Sequence, residues 1–367
     1  MKKIFRKIHL WLSVPFGIFI TLICFSGAMM VFEKEITETC RHDLYFVKSV
    51  QEKPLPLNEL MKAVTATLSD SVTVTGVTVS SDASRTYQVS LSQPRHASLY
   101  VDQYTGEIKG RNERLPFCDT MFRLHRWMMG SPQNFGKPLV GISTLLLVVI
   151  LITGILMWLS NRHKPLTRSL TICCTKGWMR FCHDLHVAGG IYSTIFLLAL
   201  ALTGLTWSFS WYRNGFYRLC GVEENPVPGH HGKTGIGRNI RPDFTQWQKV
   251  YELLAQKHPG YQQITLSDGS ASIVPARRYS LRSSDRYDFD TESGKITGNR
   301  PYSIQEKSVR INNSVYSIHV GNWGGPLTRF LTFLFALLGA TLPLTGYYLW
   351  IKKLVNKRTH KDGKRKN

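Results

Sequence analysis

The sequence predicts an α-helical membrane bundle of four transmembrane helices carrying two outer α+β domains, the whole built by internal duplication. Three observations predict it. Four long apolar runs interrupt a chain of 367 residues. Two polar segments of small-domain size lie between them. Motifs of the first half recur in the second, the mark of a repeat.

The apolar runs cover residues 8–32, 139–159, 187–209 and 327–351. Each reaches or exceeds the roughly 20 residues that a spanning helix needs. The first has a basic start, but it outruns the apolar core of a cleaved leader and has no clear small-residue cleavage site, so it reads as a permanent helix. The chain then divides at the ends of these runs. Residues 1–32 are the N-terminus and first span, 33–122 the first outer domain, and 123–160 an interfacial segment and second span. Residues 161–182 form an inner loop and 183–209 the third span. Residues 210–317 are the second outer domain, 318–351 an interfacial segment and fourth span, and 352–367 a basic tail.

A net charge of +22 would point to nucleic acid in a soluble protein, but its placement argues otherwise. Lys2, Lys3, Arg6 and Lys7 open the chain; Arg162, Lys164, Arg168, Lys176 and Arg180 crowd the short loop; eight Lys or Arg from Lys352 onward face one acid, Asp362. Basic residues beside membrane ends mark the cytoplasmic side. Both termini and the short loop are thus expected inside and both polar segments outside, and no nucleic-acid partner is needed.

Each outer segment opens with a helical pattern, residues 56–68 and 244–257, followed by alternating strands such as 72–79, 87–91 and 264–267. Tyr100-Val-Asp-Gln-Tyr-Thr-Gly-Glu-Ile108 matches Asp288-Phe-Asp-Thr-Glu-Ser-Gly-Lys-Ile296, and both read as strand, tight glycine turn, strand. The seven cysteines form no framework or zinc spacing. Cys40 and Cys118 bracket the first outer domain and can pair in an oxidising compartment.

The spans repeat too. The second ends in Thr153-Gly154 with Trp158, the fourth in Thr345-Gly346 with Trp350; the first and third carry Ser26-Gly27 and Thr203-Gly204. His9 precedes Gly27 by eighteen residues, and His186 precedes Gly204 by the same interval. Eighteen residues are five helical turns, about 27 Å, close to the hydrocarbon thickness of about 30 Å. His125 and His319 stand before the second and fourth spans. By the charge argument, His9 and His186 lie at the inner edge, His125 and His319 at the outer.

A single histidine at a helix end is an ordinary interfacial or capping residue. Four at paired depths suit the axial positions of two six-coordinate b-type haems, and two axial imidazoles leave iron no open position. A zinc or ferrous-ion site is the remaining chemistry, less favoured for want of nearby carboxylates or thiolates. His183, three residues before His186, is the alternative inner ligand or a partner of it. Gly27 and Gly204 can make room for the outer haem, and Gly154 and Gly346 for the inner one, although small residues also serve ordinary helix packing. Arg126 and Arg329, with Arg6 and Arg123, stand where propionates would need cations. The His230–His231 pair reads as a surface feature.

The chain resembles the PepSY-associated transmembrane family, which includes bacterial inner-membrane ferric-siderophore reductases and iron-regulated membrane proteins. The carriers are His9 with Ser26-Gly27, the two glycine turns, Leu124-His125-Arg126, His183-Asp-Leu-His186, Ile318-His319 with Gly324-Gly325-Pro326, and the two Thr-Gly-x-x-x-Trp ends. The resemblance implies periplasmic PepSY-like domains, two b-type haems and electron delivery to ferric siderophores or other ferric chelates. No glycine-rich dinucleotide fingerprint follows a strand. The electron donor is then a separate cytosolic flavin reductase or a membrane quinol. The alternative is a non-enzymatic envelope protein binding or regulating a partner through its outer domains. A permease ranks last, because the spans lack the mid-membrane charges it would use.

Overall fold

The computed structural model describes residues 2–94, 97–131, 135–160, 169–222, 243–276 and 280–363. His230, His231, Arg162, Lys164, Arg168, Lys364, Arg365 and Lys366 lie outside the described residues. The first half runs α1 (Lys2–Val31), α2 (Glu33–Cys40), α3 (His42–Tyr45), α4 (Leu57–Ala66), β1 (Val74–Ser80), β2 (Tyr87–Leu91), β3 (Ser98–Val101), β4 (Ile108–Arg111), α5 (Pro116–Trp127) and α6 (Gly136–Leu159). The second runs α7 (Trp178–Asp184), a π turn (Leu185–Gly189), α8 (Gly190–Ser208), α9 (Ser210–Leu219), α10 (Trp247–Lys257), β5 (Tyr261–Ser267), β6 (Ser270–Pro275), β7 (Asp285–Phe289), β8 (Ile296–Arg300), α11 (Lys307–His319) and α12 (Pro326–Gly363).

These elements form two compact units. One holds residues 1–33, 116–221 and 315–367; the other holds 34–115 and 222–314. The first is helical, and its described residues include four helices long and apolar enough to cross a membrane: Lys3–Val31, Gly136–Leu159, Trp178–Ser208 and Pro326–Asn356. This is a membrane protein. Helices α1 and α12 approach closely because Gly17 offers no side chain under Tyr347, whose hydroxyl donates to the Val14 carbonyl at 2.7 Å. Ile20, Cys24, Ile150 and Ala340 close an apolar core between α1, α6 and α12.

In the second unit, the two outer segments do not form separate sheets. Their eight strands make one antiparallel sheet in the order β4-β3-β2-β1-β5-β6-β7-β8. The halves meet where β1 pairs with β5, with Val77 opposite Leu266 and Val79 opposite Ile264. A four-stranded sheet would leave β1 as a hydrophobic edge, and pairing it with the matching strand removes that liability. Helices α4 and α10 bury Leu57, Leu60, Met61, Val64, Trp247, Val250 and Leu254 in a single core with the sheet. The expected pair of small domains is therefore one unit to which each segment contributes four strands.

The two glycine turns fold as the sequence predicts. Asp102 Oδ1 accepts the amides of Tyr104 and Thr105, and Asp290 Oδ1 accepts that of Ser293. Gly106 and Gly294 take φ of +74° and +67°, a left-handed conformation that glycine adopts without steric cost.

Candidate cofactor site

Two helix ends and two spans bring the four histidines together as two pairs. His9 lies on α1 and His186 on the π turn ahead of α8; their ring centroids are 6.3 Å apart with planes at 87°. A π turn inserts an extra residue into the helical register and often marks a functional position. His125 and His319 sit near the C-termini of α5 and α11; their centroids are 6.0 Å apart with planes at 52°. Both short helices end in a left-handed reversal just after the histidine, through Met128 and Met129 in one case and Gly321 in the other. The eighteen residues from His9 to Gly27 therefore span the interval between two levels of the bundle, about 27 Å along α1.

One local motif seats all four rings. Each Nδ1 lies against the main-chain carbonyl four residues before a glycine. His9 meets Ile150 at 3.0 Å, His186 meets Leu342 at 3.0 Å, His125 meets Ile23 at 2.9 Å and His319 meets Leu200 at 3.1 Å. A carbonyl only accepts, so Nδ1 carries the proton and donates it. Nε2 is then the unprotonated nitrogen, and among the described residues nothing bonds to it. Three of the rings have a second acceptor in the Thr hydroxyl just before the glycine: Thr153 at 3.2 Å from His9, Thr345 at 3.1 Å from His186 and Thr203 at 3.0 Å from His319.

The glycines clear space for the imidazoles themselves. A β-carbon on Gly27 would stand 2.8 Å from His125 Cε1, and one on Gly204 or Gly346 would stand 3.2 Å from that of His319 or His186. At Gly154 the distance to His9 is 3.5 Å, an ordinary contact. Trp207 adds an edge contact to His319 at 5.1 Å.

The sequence-predicted residues divide as follows. His9, His186, His125 and His319 are brought together in pairs. His183 is not; it is exposed, and its Nδ1 lies 3.1 Å from the buried Asp184, which also accepts from Arg180 Nε at 2.7 Å. Arg329 donates to the Val31 carbonyl at 2.6 Å and lies over the Phe32 ring. Arg126 lies over Phe122 and Trp127, and Arg123 reaches the Met129 carbonyl at 3.4 Å. Cys40 and Cys118 are not joined in a disulfide. The threonine acceptors and Trp207 were not singled out from sequence, although the Ser/Thr-Gly dipeptides that place the acceptors were visible.

The geometry fits a metal held between two imidazoles. Two metal–imidazole bonds of about 2 Å, with about 1.1 Å from each nitrogen to its ring centre, separate two axial ring centres by about 6.2 Å. The observed 6.3 and 6.0 Å match this. Among the described residues no group of three or more His, Cys, Asp or Glu converges. A bare zinc ion in a structural site takes four protein ligands, whereas a haem iron takes its other four donors from the porphyrin. The donor set thus suits haem better than a naked ion.

The family described as the PepSY-associated TM region matches residues 6–353. No curated protein matches the chain.

Proposed function

We propose that this chain, which belongs to the PepSY-associated transmembrane family, is a di-haem electron-transfer protein that reduces ferric chelates such as ferric siderophores at the outer face of the bacterial inner membrane. The observation that carries this reading is the pair of imidazole pairs at axial-ligand spacing, each ring with its Nδ1 proton committed to a helix carbonyl.

Those bonds do two things. They fix the tautomer, so that Nε2 offers a lone pair without first losing a proton. They also hold each ring in orientation and raise its basicity, as outer partners of metal-bound histidines do. His9 and His186 would hold one b-type haem, His125 and His319 the other. Bound there, the two haems supply one-electron carriers that divide a crossing of about 30 Å into shorter hops. Held by two histidines each, the haems would be suited to electron transfer rather than oxygen binding. Arg126 and Arg329 stand near enough in sequence to the second pair to counter propionate charge.

The substrate is ferric iron in a chelate. It gains one electron, and the ferrous ion binds hard oxygen donors less tightly, so the chelator releases it. The basic residues at both termini support cytoplasmic ends and a periplasmic sheet unit. The matched histidines, Ser/Thr-Gly pairs and glycine turns support descent of the two halves from one ancestral repeat. Electrons come from a separate cytosolic flavin reductase or a membrane quinol.

The test uses the protein in lipid vesicles, reduced chemically under anaerobic conditions and then given a ferric hydroxamate with a chromogenic ferrous trap outside. Colour that needs the intact protein and is lost in His125→Ala supports the reading. Equal colour from empty vesicles, or from the variant, overturns it.

A further inference from the structure

Three of the four imidazole seats share the same chemistry and one departs from it. At His9, His186 and His319 the Nδ1 proton lies between a carbonyl oxygen and a threonine Oγ1. Each threonine hydroxyl donates its own proton to a carbonyl of its helix, so its oxygen faces the imidazole as an acceptor. At His125 the corresponding residue is Ser26, fully buried. Its hydroxyl donates to Leu22 at 2.6 Å and Ile23 at 3.1 Å, and it makes no bond to the ring. His125 keeps the Ile23 carbonyl alone.

The number of acceptors on Nδ1–H bears on the metal. Each acceptor draws that proton away and leaves the ring more electron-rich, and an electron-rich axial ligand favours ferric over ferrous iron. The His9/His186 level has four acceptors on its two rings, and the His125/His319 level has three.

Resting on the haem reading above, we propose that Ser26 is a positioning residue that orders the two haems in potential, making the one held by His125 and His319 the more easily reduced. Electrons then run downhill from the His9/His186 level to the His125/His319 level. With the termini in the cytoplasm, that direction is outward, toward a ferric substrate. A threonine at position 26 that bonded to His125 would give both levels four acceptors and remove this difference between them.

The test is an optical redox titration of the purified protein in detergent. Wild type should show two one-electron waves, and His9→Ala, which keeps only the His125/His319 haem, should retain the higher one. Ser26→Thr should lower the upper wave, and Thr153→Val with Thr345→Val should raise the lower one, each by about threefold to tenfold in equilibrium constant. Where Ser26→Thr fails to fold, the valine pair alone decides. The ordering is overturned if His9→Ala retains the lower wave, or if the hydroxyl changes leave both waves in place. A folded wild type with no Soret band would instead remove the haem reading on which this rests.

Discussion

Gly27 lies so close beneath His125 that a β-carbon on it would stand 2.8 Å from the imidazole Cε1. Real contacts do not come so near, so the ring or the helix must move. At Gly154, beneath His9, the same addition would stand 3.5 Å from the imidazole Cε1, an ordinary contact. Gly27→Ala is expected to cost about 1–3 kcal/mol of overpacking and to release the haem of that level. Gly154→Ala should keep both. Haem content after gel filtration distinguishes the two variants.

His183 is exposed and turned to Asp184, so it contributes no ring to the pair at its level. His183→Ala is expected to retain both haems with unchanged Soret and α-band positions, while His186→Ala loses one. Loss of a haem from the His183 variant would reassign the ligand.

The 87° between the His9 and His186 planes, against 52° for His125 and His319, has a spectroscopic consequence. Near-perpendicular axial imidazoles leave the ferric d orbitals close in energy and give a strongly anisotropic low-spin signal. Frozen-solution electron paramagnetic resonance should therefore show two ferric species, the more anisotropic one disappearing in His9→Ala. A single species in wild type would mean that the pairs are alike.

In the sheet unit, Arg85 forms a two-pronged ion pair with Glu38 at 2.8 and 2.9 Å, with both side chains largely buried. Arg85→Ala removes charge-assisted bonds and leaves the carboxylate without them. A loss of about 1–2 kcal/mol is expected, read from denaturant unfolding of the full-length protein. Glu38→Gln with Arg85→Ala should recover part of it.

His258 accepts the Tyr287 hydroxyl at 2.7 Å when neutral, and burial together with the neighbouring Lys257 holds its pKa below the ordinary histidine value. A lowered folded pKa means that the unfolded chain takes up the proton first as pH falls. Stability is then fully present above the ordinary value of about 6.5 and is lost as pH drops from there through the folded pKa. Amide exchange on β7 should accelerate over that window, and His258→Gln should flatten the response.

Much of this was legible in the sequence because its signals are local. Apolar length located the spans, and the two matched segments with their glycines located both turns. The eighteen-residue interval from His9 to Gly27 found the two levels. It misread what the glycines do, since they seat imidazoles and the sequence does not say which residue crosses from another helix. The π turn at His186 was invisible, because nothing in Leu185–Gly189 departs from an ordinary apolar helix. The single sheet was missed for a different reason. Pairing of Val77 with Leu266 joins residues far apart in the chain, and each half alone satisfies the pattern of a small α+β domain. Ser26 was seen as the equal of the three threonines, and only the hydrogen bonds separate them.

The central claim is that two imidazole pairs grip two haems, and haem stoichiometry tests it most directly. Pyridine haemochrome assay of the folded, purified protein should give about two b-type haems per chain, from two bis-imidazole sites. His9→Ala and His186→Ala should each leave one, and His125→Ala and His319→Ala should each leave the other. Folded protein without haem, or four variants that all retain the wild-type content, would contradict the account.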